Sequence, residues 1–179
     1  MNILFLYSQI LFVLLFITRY NSDITFRVIK SSILHFAPMI KLHHIVSLSD
    51  NPEYYVYTLD FTPINQSHAS TLLKMIVTNI PGEVRLRRIE TNIENTDMIL
   101  QKWNNMNNVD TYESKKLTKS VYNEINNIEI KNIIYTSLSW LPYMNLYKHN
   151  CQHFSNYVID KIRNTQNQNY QNQNYQNQN

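Results

Sequence analysis

Asn150-Cys-Gln-His-Phe-Ser-Asn-Tyr-Val-Ile-Asp-Lys-Ile162 is the stretch on which the fold of this chain turns. Cys151, Phe154, Val158, Ile159 and Ile162 recur at helical spacing on one face, while Asn156, Asp160 and Lys161 turn away from it. Asn150 suits an N-cap, because its side-chain oxygen can accept from a first-turn amide. A helix is therefore predicted over 151–162 with Cys151 in its first turn. Unpaired amides and the positive end of the helix dipole favour a thiolate there. The same amides can receive an oxyanion that develops on a carbonyl substrate. A nucleophile so placed needs a base, usually histidine, held by a third polar group. Spacing alone supports equally a small structural cysteine on the buried face.

Upstream, Lys41–Leu48 (K-L-H-H-I-V-S-L) and Tyr54–Phe61 (Y-Y-V-Y-T-L-D-F) are rich in β-branched and aromatic residues. Ser49-Asp50-Asn51-Pro52 between them has turn chemistry, so an antiparallel hairpin is predicted. Further elements are a helix over 67–78 ending at Pro81-Gly82, a strand over 83–90 with one polar face, and helices over 97–103 and 115–128. Residues 135–140 read as a strand or turn. Asp23–Lys41 reads as a short amphipathic stretch broken at Pro38.

Composition narrows the chemistry. The chain has 179 residues and suits one domain with a real core. A net charge of +3, without a basic stripe interleaved with aromatics, gives no ground for a nucleic-acid partner. Gly82 is the only glycine, so neither a phosphate-binding loop nor a dinucleotide fingerprint can be built. Cys151 is the only cysteine, which excludes an internal disulfide and cysteine-based zinc sites. No cofactor is expected. A metal site from His43, His44 and Asp60 is not expected either, since adjacent strand positions diverge.

The segment Leu146–Val158 (L-Y-K-H-N-C-Q-H-F-S-N-Y-V) resembles the Asn-Cys-Glu/Gln-His-Phe signature of the NlpC/LRAT group of permuted papain-like thiol enzymes. That family carries a histidine strand first and its cysteine helix late. Its upstream pattern is His-x-Gly-x-Tyr-x-Gly-Asp, a turn, then a strand with a second polar residue and a proline. His43–Asp50 (H-H-I-V-S-L-S-D) and Thr58–Pro63 (T-L-D-F-T-P) lie on that pattern. The resemblance spans roughly residues 40–163. It implies an α+β, circularly permuted papain-like domain with an antiparallel sheet, in which Cys151 is the nucleophile, His43 the base and Asp60 the third group. His44 is the alternative base; if His43 serves, His44 is a packed or hydrogen-bonded residue in phase with Val46 and Leu48. The departures are Ile45 for the family's glycine, Ser47 for its tyrosine, and Asp60 where the acyltransferases carry histidine. His153, two residues past Cys151, is expected to be structural, and His149 to be an exposed loop residue. His35 and His68 have no partner pattern. Trp140, Tyr143 and Tyr147 are expected to pack under the cysteine helix.

The ends carry different signals. Ile3–Ile17 is apolar apart from Ser8 and Gln9, slightly short of a comfortable span, with Arg19, Arg27 and Lys30 after it and nothing basic before. Residues 1–20 are read as an uncleaved single-pass anchor with the 23–163 domain on the cytoplasmic side. A cleaved signal or a buried core helix are the alternatives. The Asn/Gln-rich residues 164–179 are expected to be disordered. The functional expectation is a membrane-anchored cysteine hydrolase or acyltransferase acting on a lipid ester or an amide, including peptide amides. The other reading is an inactive scaffold, similar to small membrane proteins of baculoviruses and nudiviruses. It would serve virion envelopment or morphogenesis through viral or host protein contacts, in the viral envelope or host membranes.

Overall fold

The computed structural model describes residues 24–31, 43–64, 69–90 and 111–176. Five strands form one antiparallel sheet in sequential order: β1 (Thr25–Ser31), β2 (His43–Ser49), β3 (Tyr55–Pro63), β4 (Ile80–Glu90) and β5 (Tyr143–Met144). Helix α1 (Ala69–Val77) connects β3 to β4, α2 (Thr111–Asn123) and α3 (Ile128–Leu138) precede β5, and α4 (Cys151–Gln176) ends the chain. The architecture is α+β with a late C-terminal helix. Among the described residues no helix is long and apolar enough to cross a membrane. The Ile3–Ile17 stretch, the expected helix over 97–103 and His35 and His68 lie outside them.

The β2–β3 hairpin forms where its turn chemistry places it. The Ser49 hydroxyl donates to the Tyr55 carbonyl at 2.7 Å and accepts from the Asn51 amide at 2.9 Å. Asp50 then ties the turn to α3, accepting from the Tyr55 hydroxyl at 2.7 Å and the Asn127 amide group at 2.9 Å. Asn127 is itself the N-cap of α3, accepting from the amides of Glu129 and Ile130.

One sheet face carries Val46, Leu48, Tyr57, Leu59, Phe61 and Leu86, and packs on Phe154, Val158 and Ile162 of α4. These three helix residues are fully buried, each stabilising the fold by about 1.5–3 kcal/mol relative to exposure. Their spacing of four residues repeats on one helix face, as expected. The opposite sheet face carries His43, Ile45, Thr58, Asp60, Arg85 and Arg87, all buried too. The polar face expected of β4 is therefore an interior one. Its charges are paired: Arg85 donates to Glu83 at 2.7 Å and Arg87 to Asp60 at 2.6 Å.

Several elements depart from expectation. Residues 25–31 form an edge strand whose seven residues pair with β2, rather than an amphipathic stretch. The single helix expected over 115–128 is two, because Asn127 caps a new one. Residues 135–138 complete that second helix. Pro81 and Gly82 do not end an element but lie within β4. Helix α4 runs on through the Asn/Gln tract to Gln176, where disorder was expected. Its polar side chains find partners: Gln166 donates to the Ile24 carbonyl at 2.9 Å and Asn169 to Glu129 at 2.9 Å.

The only glycine is explained by space. A Cβ on Gly82 would sit 2.7 Å from the Phe61 ring and 3.3 Å from the Met144 Cβ. Phe61 is fully buried against Trp140 and Phe154 and cannot swing aside freely. Gly82→Ala is expected to destabilise the protein by about 1–3 kcal/mol. A chemical-denaturation midpoint within error of wild type would refute the crowding.

Candidate active site

The first turn of α4 is built by the loop before it. The Asn145 and His149 backbones exchange two hydrogen bonds, at 2.8 and 3.2 Å, which closes the 145–149 turn. Asn150 then donates to the Leu146 carbonyl at 2.6 Å and accepts from the Gln152 and His153 amides at 2.9 and 3.1 Å. This is the expected N-cap, with one consequence for chemistry. Those two first-turn amides are occupied, so they are not free to receive an oxyanion.

Cys151 is 5% exposed, and its thiol meets two parts of β2. It hydrogen-bonds to the His43 side chain and accepts from the His44 backbone N–H. The His43 Nε2 lies 3.3 Å from Asp60 Oδ2, while Asp60 Oδ1 accepts from Arg87 Nη1 at 2.6 Å. With Nε2 turned to the carboxylate, Nδ1 is the ring nitrogen left for the thiol. The four side chains thus form one buried line: Cys151, His43, Asp60, Arg87.

The register explains why these residues converge. Ile45 faces Asp60 across β2–β3, and Asp60 faces Arg85 across β3–β4. His43 and Arg87 lie two residues along their strands from those pairs, on the same face, within reach of long side chains. Cys151, on α4, arrives at the start of β2, beside His43 and His44.

The His44 side chain points to the other face, and His44 meets the thiol only through its backbone N–H. Its Nδ1 lies 3.3 Å from Ser155 Oγ, one turn down α4, and the Ser155 hydroxyl donates to the Gln152 carbonyl at 2.9 Å. The His44 pKa is lowered by burial and by the charges of Lys30 and His43. Of the two imidazoles, only that of His43 reaches the sulfur.

The electrostatics favour an ion pair. Burial pushes the Cys151 thiol up, but His43 and the N–H groups of His44 and Cys151 outweigh it and hold it below the ordinary thiol range. Burial opposes a charged His43 too, yet Asp60 and Cys151 raise its pKa from 6.5 to about 9. Burial would raise Asp60 as well; Arg87 first, then His43 and Arg85, keep it well below the usual carboxylate range.

These directions set a pH window. His43 has a folded value above its unfolded one, so its stabilising contribution is full below about 6.5 and is lost as pH rises through about 9. Alkylation of Cys151 by iodoacetamide is expected to persist well below pH ~8.5, the ordinary thiol value. His43→Gln should move the alkylation midpoint to higher pH, since the imidazole that favours the thiolate is gone. A rate profile identical in both proteins would show that the imidazole does not ionise the thiol.

The remaining expected residues are placed plainly. His153 is exposed, with Nδ1 2.9 Å from Asn150 Oδ1, and does not face the site. His149 is buried rather than an exposed loop residue. Its ring stacks between Trp140 and Tyr143, each at 4.5 Å, and its Nδ1–H donates to the Tyr143 carbonyl. Trp140 packs on Phe154 and Tyr157 of the cysteine helix, as expected, whereas Tyr147 is 67% exposed. Arg87 was not foreseen, and an arginine in an alternating strand carries no local mark of a partner 27 residues away. Among the described residues no group of three or more His, Cys, Asp or Glu is placed to hold a metal ion. Comparison with models of known families, with curated proteins and with solved structures found no match.

Proposed function

We propose that this chain is a cysteine hydrolase or acyltransferase of the permuted papain-like, NlpC/LRAT-type group, forming an acyl-enzyme on Cys151. The observation that carries this reading is the buried Cys151–His43–Asp60 line at a helix N-terminus, with the thiol pKa lowered and the imidazole raised. The order of elements, with the histidine strand ahead of a last, cysteine-bearing helix, is in keeping with the order the sequence resemblance implies.

In the mechanism, the Cys151 thiolate attacks an ester or amide carbonyl, a C–S bond forms and the carbonyl pair moves to oxygen. Collapse breaks the bond to the alcohol or amine, which leaves with the proton of the His43 imidazolium. Water or an acceptor alcohol or amine then gives a proton to His43 and displaces the thiolate. Asp60 holds the ring and offsets its charge, and Arg87 holds Asp60. The Gln152 and His153 amides are occupied by Asn150 and do not serve the oxyanion. A lipid ester or a carboxamide is the substrate class, met at a membrane.

The test is mass spectrometry after incubation with an activated long-chain ester at neutral pH. A single acyl adduct mapping to Cys151, removed by hydroxylamine, is expected. Absence of any adduct on folded wild-type protein would overturn the reading.

One observation favours a second reading. Cys151 and His43 are 5% and 2% exposed, so the pair is enclosed as an inert core feature would be. A scaffold in virion envelopment or morphogenesis, without turnover, would tolerate Cys151→Ala with full biological rescue.

A further inference from the structure

Helix α1 has its apolar residues on both sides. Met75 and Thr71 face inward and are buried. Leu73, Ile76 and Val77, at spacings of three and four, make a stripe on the outer face, with Val77 82% and Leu73 69% exposed. Large aliphatics clustered on one exposed helix face mark a contact surface. The stripe is also joined to the loop that leads into Cys151. The Leu146 amide donates to the Met75 carbonyl at 3.0 Å and the Asn145 side chain to the Thr78 carbonyl at 3.3 Å. That loop region exposes Leu141, Tyr143 and Tyr147.

Charge decides among possible occupants. Neither residues 64–82 nor 137–153 contain an aspartate or glutamate, while Lys74 and Lys148 are exposed within them. Aliphatic side chains, tyrosines and lysines without acids are the composition that a lipid interface selects: apolar groups enter the acyl boundary, tyrosines sit at headgroup level and lysines meet anionic phosphates.

We propose that the outer face of α1 and the 141–148 segment form a docking surface for an anionic lipid bilayer. Docked this way, the bilayer meets the protein at the segment that leads into Cys151. Delivery of an ester to that sulfur rests on the acyl-transfer reading; the docking itself does not.

The test reads the surface directly in the full chain, whatever the N-terminal segment does. Cys151→Ser removes the only thiol, and Val77→Cys in that background takes one environment-sensitive fluorophore. Lys119→Cys, on the exposed side of α2, is the reference position. The vesicles are phosphatidylcholine with about one-fifth phosphatidylserine, with and without brominated acyl chains. A blue shift and bromine quenching at position 77, absent at 119, are expected. Lys74→Glu with Lys148→Glu should weaken this response about tenfold or more. No quenching at 77, or equal quenching without phosphatidylserine, overturns the proposal. So does a shift without vesicles that grows with protein concentration, which would identify a second copy as the occupant. Because the labelled protein lacks its sulfur nucleophile, failure here leaves the catalytic reading standing, and failure of an acyl adduct leaves this one.

Discussion

Arg87→Met is expected to destabilise the folded protein by about 3–5 kcal/mol at neutral pH, the cost of leaving a buried charge without its partner. Arg87 and Asp60 are both buried and meet at 2.6 Å, and the same carboxylate also holds His43. In the wild type, Asp60 has a folded pKa well below its unfolded value of about 3.9. Its contribution to stability is therefore complete above that value and is lost as pH falls through the folded one. Without Arg87 the burial that pushes Asp60 upward meets less opposition, so the variant should gain relative stability in mild acid. Urea midpoints across pH 4–8 check this. The double variant Arg87→Met/Asp60→Asn should recover much of the loss, since the stranded charge is gone. A variant within about 0.5 kcal/mol of wild type at every pH would mean that the pair does not support the site.

Cys151→Ala has the largest expected effect on chemistry. The acyl adduct should vanish and turnover of an activated ester fall by about three orders of magnitude or more, since a nucleophile cannot be partly replaced. Stability should change little, because the substitution removes one sulfur from a site that already borders polar groups. His43→Gln separates the roles: some adduct should form slowly at alkaline pH, where hydroxide can ionise the thiol without the imidazole. His44→Gln is the control, because His44 meets Ser155 on the other face and its loss should leave adduct formation nearly intact. If His44→Gln and His43→Gln were equally damaging, the assignment of the base from strand parity would be wrong.

The site is partly legible in the sequence. Cys151 at a helix start, with Asn150 as its cap, follows from local periodicity and side-chain chemistry. The choice between His43 and His44 could be framed but not closed, since alternation says only that adjacent residues diverge. The α4 continuation to Gln176 had no apolar signal; its anchors are hydrogen bonds to Ile24 and Glu129, distant in sequence. The β1 strand, T-F-R-V-I-K-S, hides because its exposed edge mixes polar and apolar residues without a clean period. The glycine in β4 looked like a stop and is a clearance for the Phe61 ring.

By itself the sequence determined the hairpin of β2 and β3, the apolar face of α4 and the position of the sulfur in its first turn. Each of these depends on residues within a few positions of one another, where backbone geometry links sequence directly to space. Tertiary structure decided which imidazole meets the sulfur, that the polar face of β4 is interior, and that Arg87 holds Asp60. Those outcomes depend on strand register and on helix placement, which bring together groups 17 to 111 residues apart. No local pattern encodes such distances, because the energy that fixes them comes from packing the whole sheet at once.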